Sequence, residues 1–184
     1  MEIIITFIIV SLVILLQLVV VPAIILKRAK KFSQFYKYPV YLLNSDEINA
    51  FSIFSIWGKF IVVTKELIDR EDEKHINAAL AHEVGHLESN HHLKMLGIIV
   101  LIVILFTFFI IRYPLLILPF IMVVFISQRY LLRRFELNAD NFATKIINKD
   151  LLIDLIMKYN DKTSTFLSTH PNIQVRLKNI NRIK

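Results

Sequence analysis

Two long apolar blocks constrain this chain more tightly than any other feature. Residues 3–26 contain no charged side chain, and residues 95–126 contain only Arg112, within Arg112-Tyr113-Pro114. A helix needs about 20 apolar residues to cross a bilayer. In hydrocarbon each backbone N–H and C=O must be paired internally, which makes a helix the natural form of both blocks. The first block is preceded only by Met1 and Glu2 and followed by Lys27, Arg28, Lys30 and Lys31. A cleaved leader carries its positive charge before the apolar run. This block therefore reads as a retained anchor, N-terminus outside and basic flank in the cytoplasm. Half of the second block suffices for a span, and the other half needs residues 127–132 to complete one. A hairpin turning at Arg112 to Pro114 returns the chain to the side it left, where Arg129, Arg133 and Arg134 join the first basic cluster. Three spanning helices are expected.

Hydrophobic residues make up 55% of the 184, above the roughly 45–50% of soluble domains, and the excess lies in those blocks. The net charge of +7 would suit nucleic acid. However, the cations border the apolar blocks, where membrane topology accounts for them, so no nucleic-acid partner is expected. The stretch 27–37, which mixes lysines with Phe32, Phe35 and Tyr36, reads as a juxtamembrane collar. There is no cysteine, hence neither disulfides nor a Cys-ligated zinc.

Between the apolar blocks the character changes. Residues 40–43 and 60–63 have strand composition, Trp57-Gly58-Lys59 offers a turn, and residues 49–53 make a third strand. A small β-sheet should pack against the helix that follows. That helix is expected over residues 71–92, with Asp69 as its cap and Glu71, Asp72 and Glu73 at its N-terminus. Ile76, Leu80, Val84 and Leu87 form its core stripe.

This helix carries His82-Glu83-Val84-Gly85-His86. Residues four apart lie on one face, so His82 and His86 can bind one metal ion with Glu83 beside them as a base, the content of H-E-x-x-H. A catalytic zinc takes a third protein ligand and keeps one position open. His92 has the metzincin spacing, but in a continuous helix it points away from His82 and His86. His75 has the right face, but ligands on three successive turns of one helix cannot converge. Glu136 and Asp140, four apart on a later helix, meet the requirement: Glu136 ligates, Asp140 accepts a hydrogen bond from a ligand imidazole, and Ala139 lets the helices approach.

The ordered set Asn49-Ala50-Phe51, Leu80-Ala81-His82-Glu83-Val84-Gly85-His86 with His91, Glu136 with Ala139-Asp140, and Ser168-Thr169-His170-Pro171 with Arg176 resembles the HtpX-like and Ste24-like membrane zinc metallopeptidases of the gluzincin group. The resemblance runs from about Val40 to Arg176. It implies a zincin-like α+β metallopeptidase core, one zinc per chain on His82, His86 and Glu136, a substrate edge at Asn49, Ala50 and Phe51, and catalytic roles for His170 and Arg176. Pro171 disfavours helix at His170. Arg176 lies in the apolar stripe of Ile173, Leu177, Ile180 and Ile183, where a cation needs a partner. An acid near the metal would supply one and fix the His170 loop over the cleft. His170 would then stabilise the oxyanion or plug the open metal position.

The expected protein is a mainly α integral membrane protein with a small sheet. Residues 1–31 are the anchor and basic flank, 32–94 the first catalytic part, 95–127 the hairpin and 128–184 the second catalytic part. Its expected activity is zinc-dependent endopeptidase cleavage of membrane proteins or membrane-proximal peptides, in a prokaryotic cell membrane with the site on the cytoplasmic side. The alternative is a zinc-binding membrane scaffold or chaperone that does not cleave, although such a site needs no Glu83. The charge pattern predicts that a reporter fused after Lys184 is cytoplasmic and one inserted at Arg112 to Pro114 lies outside. Both reporters on one side would rule out the hairpin.

Overall fold

The computed structural model describes residues 2–159 and 171–182. The chain opens with α1 (Glu2–Leu15), a π-helical segment (Leu16–Val20) and α2 (Val21–Arg28). Pro22 has no N–H to give the Leu18 carbonyl four residues earlier. That carbonyl instead accepts from the Ile56 N–H at 3.2 Å, which ties the anchor to the sheet beyond it.

The sheet comprises β1 (Ala29–Phe35), β2 (Tyr38–Leu43), β3 (Ala50–Ser55) and β4 (Gly58–Thr64). Its order is β1-β2-β4-β3, with β2 and β4 parallel and the outer pairs antiparallel. Three strands fall where residues 40–43, 49–53 and 60–63 were expected. The first does not: the basic flank of the anchor is itself a strand. Its burial pattern is mostly exposed, so it lacks the apolar alternation that marks a half-buried strand, and its lysines protect an edge. The inner strand β4 is buried on both faces. Ile61 and Val63 join Val40 against Leu80, Val84 and Leu87, while Phe60 and Val62 join Ile53 against Ile25 and Leu26. Period-two alternation therefore feeds two cores at once.

After α3 (Lys65–Arg70) comes α4 (Glu73–Glu88). Its cap is Asp72, whose carboxylate accepts the His75 N–H at 2.8 Å, and Asp69 lies inside α3 instead. The helix expected to continue to residue 92 ends early. Asn90 adopts a left-handed conformation, φ 53°, which asparagine tolerates better than most residues, and α5 (His91–Arg112) starts in a new direction. A short 3-10 turn (Pro114–Leu116) leads into α6 (Ile117–Ala143), then α7 (Lys149–Tyr159) and α8 (Ile173–Asn181).

Among the described residues three helical stretches are long and apolar enough to cross a membrane: Ile3–Arg28, His91–Phe109 and Pro114–Ala143. At about 1.5 Å per residue α6 runs roughly 40 Å, more than the hydrocarbon core of about 30 Å. The helix is therefore longer than a span needs, and its last turns pack beside α4. The two helices meet at Gly85. A Cβ there would lie 2.7 Å from the Ala139 carbonyl oxygen and 2.8 Å from its Cα, both backbone atoms with nowhere to move. Gly85→Ala should push α4 and α6 apart, lowering stability by about 1–3 kcal/mol and weakening metal binding in the same protein. Thermal unfolding and a zinc titration check this. An unaltered Tm would mean that the contact is not close.

Candidate metal centre and cleft

Because α4 and α6 touch backbone to backbone, the side chains flanking that contact converge. His82 and His86 stand one turn apart on α4, and Glu136 lies on α6 one turn before Asp140. The separations are 3.2 Å between the two Nε2 atoms, 3.6 Å from His82 Nε2 to Glu136 Oε2 and 3.3 Å from His86 Nε2 to Glu136 Oε1. Tetrahedral ligands about 2.1 Å from a zinc ion are roughly 3.4 Å from one another. The donor set and its spacing fit zinc. The structure carries no ion.

Each imidazole is held from behind. His82 Nδ1 lies 2.9 Å from Asp140 Oδ1, and Arg176 grips the same carboxylate in two places, Nε at 2.8 Å and Nη2 at 2.6 Å. Asp140 is completely buried. Burial disfavours the His82 imidazolium, but the Asp140 and Glu136 carboxylates outweigh it and raise His82 to about 10, so protons and a metal ion compete for one lone pair. Burial would lower Arg176 too, and Asp140 more than reverses this, which keeps the guanidinium charged. On the other imidazole, His86 Nδ1 lies 3.0 Å from His91 Nδ1, and His91 stacks on Phe135 with centroids 4.3 Å apart. With a metal ion on Nε2, the one remaining ring proton of His86 would sit on Nδ1, within reach of His91. His91 reaches this place only because Asn90 breaks the helix.

His92 takes no part in the group: its Nε2 lies 3.0 Å from Ser52 Oγ. His75 lies between Asp72 at 2.8 Å and Asp154 at 3.0 Å. The premise of one continuous helix, on which His92 was set aside, does not hold, since α4 ends at Glu88 and α5 starts at His91. His170, with Ser168 and Thr169, lies outside the described residues.

Beside the donor group runs a cleft of about 280 Å³ whose lining includes Asn49, Ala50, Glu83 and Glu136. Among the described residues none hydrogen-bonds the Glu83 carboxylate. Of the expected edge segment, Asn49 and Ala50 line the cleft, while Phe51 packs on the opposite face with Ile53 and Val62. The Thr64 N–H donates to the Asn49 carbonyl at 3.0 Å. By antiparallel alternation, Ala50 and Ser52 then turn their N–H and C=O away from β4. The far wall is α7, which sequence analysis does not single out. Leu152, Leu155, Ile156 and Tyr159 line the cleft, and their i, i+3, i+4, i+7 spacing is the signal that identifies such a face. Buried Glu71 fixes this wall: it accepts from Lys158 Nζ at 2.6 Å and from the Tyr159 hydroxyl. Burial raises its carboxyl, and these donors lower it further than burial lifts it.

Two histidines from an H-E-x-x-H helix and a glutamate from a second helix are the His₂Glu donor set of catalytic zinc sites, here set among membrane-spanning helices. Residues 16–184 match the family model described as Peptidase family M48. The chain belongs to that family, as the resemblance to HtpX-like and Ste24-like proteins implies. The crystal structure of S. mikatae Ste24p has the same fold, with a TM-score of 0.71 at 16% identity. The match covers 97% of this chain and 56% of that one, so the chain spans little more than half of its length. A comparison with curated proteins finds no match.

If Asp140 sets the orientation and basicity of His82, Asp140→Asn should lower zinc affinity about 10–100-fold, read by competition with a chelator. Unchanged affinity would show that His82 is not held through Asp140.

Proposed function

We propose that this protein is a zinc-dependent endopeptidase of the HtpX-like kind, embedded in a prokaryotic cell membrane with its site on the cytoplasmic side. Its substrates would be membrane proteins or membrane-proximal peptides. One observation carries the reading: of three donors 3.2–3.6 Å apart, His82 and Glu136 line one cleft together with Glu83 and with Ala50 at the edge of β3. Zinc, when bound, supplies Lewis acidity toward a carbonyl and brings the pKa of water down to about 7.

The chain's own residues do the rest. Glu83, exposed to the cleft, takes the proton of the attacking water and returns it to the leaving amine. The outward N–H and C=O of Ala50 and Ser52 pair with an extended substrate as an added strand, and Asn49 contributes to the same wall. Asp140 holds the His82 ring, and Arg176 holds Asp140, so we assign Arg176 a positioning role within the site. The apolar face of α7 suits apolar substrate side chains, which supports substrates drawn from membrane segments.

The test compares wild type with Glu83→Gln on an unfolded membrane substrate, together with metal analysis. Glu83 is not a ligand, so Glu83→Gln should bind zinc nearly as well while losing roughly 10²–10⁴-fold in cleavage rate. His86→Ala and Glu136→Ala should lose both. Equal cleavage by wild type and Glu83→Gln would leave the zinc-binding scaffold as the better reading.

A further inference from the structure

We propose that the α5–α6 hairpin carries a binding site for the phosphate of an anionic phospholipid, on the side of the membrane where the metal centre lies. Behind the α4–α6 contact, away from the cleft, is a second cavity of about 320 Å³. Lys94, Arg134, His91, Asn138, Asn141 and Asn179 line it, and no carboxylate does. Among the described residues neither Lys94 nor Arg134 is paired with an acid, and both are exposed. Two cations unpaired with an acid, around a cavity without a carboxylate, suit an anion.

The depth of the cavity identifies that anion. Lys94 lies about 27 Å along α5 from Arg112, and Arg134 about 26 Å along α6 from Ile117, at about 1.5 Å per residue. The hairpin turns at one face of a hydrocarbon layer about 30 Å thick, so both cations sit where phosphate headgroups lie at the other face. The His91–Phe135 stack at 4.3 Å confirms that these stretches of the two helices share one level.

The donors are also oriented. Arg134 Nε donates to the Tyr130 hydroxyl at 3.0 Å, which steadies the guanidinium and leaves its Nη groups for a ligand. Asn138 accepts with Oδ1 from Ser89 at 2.5 Å, and Asn141 accepts with Oδ1 from Asn179 at 2.5 Å. Asn138 also hydrogen-bonds the His91 ring, and Asn179 gives its own NH₂ to Asn141 and the Leu137 carbonyl, so these side chains are held in place around the cavity. Above it the surface turns apolar. Leu101, seven residues from Lys94 on the same face of α5, is 55% exposed, and Val123, seven from Tyr130 on α6, is 62% exposed. A headgroup in the cavity would lay its acyl chains along these two helices. Basic pockets between spanning helices recognise anionic lipids by this combination. The occupant would also touch His91 and so stand one ring away from His86.

The experiment uses the full chain in phosphatidylcholine vesicles doped with phosphatidylglycerol, counting the lipid retained on the protein by native mass spectrometry. The readout is lipid, independent of any peptidase activity. Wild type should retain one phosphatidylglycerol. Lys94→Gln and Arg134→Gln should each weaken retention about five-fold, and the double variant about twenty-five-fold. Arg134→Lys, which keeps the charge but not the oriented guanidinium, should lose less than Arg134→Gln, and Lys30→Gln, which removes a cation outside the cavity, should have no effect. A zinc titration on each variant confirms that it is folded. An equal loss in Lys30→Gln would reduce the effect to diffuse surface charge. Displacement of the lipid by inorganic phosphate would make this a site for free anions. Undiminished retention in the double variant would remove the site altogether. Any of the three overturns the proposal.

Discussion

A buried negative charge organises the half of this protein that holds the candidate metal centre. Asp140 is completely buried, where an unpaired carboxylate would be untenable, and its oxygens are taken up by His82 of α4 and Arg176 of α8. Removing one partner from such an arrangement typically costs about 3–5 kcal/mol, because the other charge is left stranded. Three helices distant in the sequence are thus held to one point by electrostatics. The steric condition is the bare backbone contact of Gly85 with Ala139, without which α6 could not bring Asp140 to the His82 ring.

The same arrangement explains why much of the site was legible in the sequence. Histidines four apart and acids four apart each imply one helix face, and the two faces can serve a single ion only if the helices are packed together. The apolar blocks were legible for a similar reason, since length and charge alone fix what can cross hydrocarbon. Legibility ended where one residue's backbone decided the outcome. Asn90 in a left-handed conformation turns an expected single helix into two and brings His91 behind His86, which no periodicity announces. Asp72 rather than Asp69 caps α4, a shift of one short turn among several eligible acids. The strand β1 was hidden by its own lysines, which make it look like a charged collar. The wall formed by α7 was visible as an apolar stripe, but nothing local says that a stripe faces a cleft rather than a core.

Sheet and membrane are linked more directly than a tether would allow. The carbonyl of Leu18, freed by Pro22, accepts from Ile56 at the end of β3, and the Phe60–Val62 face of the sheet packs on α2 through Ile25 and Leu26. The strand whose other end borders the metal centre is therefore fixed to the anchor by both a hydrogen bond and packing. Movement of the anchor relative to the bilayer would be transmitted to the cleft without passing through a flexible connection.

The hairpin divides the candidate metal ligands in an order that matters while the protein is being made. His82 and His86 leave the ribosome before α5, and Glu136 leaves after α5 and most of α6. A nascent chain whose hairpin has not yet entered the lipid has two imidazoles but no carboxylate to complete the group, and Arg176 arrives later still. The candidate donor set therefore closes across the hairpin, from residues made before it and residues made after most of it. On this order of synthesis the candidate donor set is complete only once both helices of the hairpin have been made.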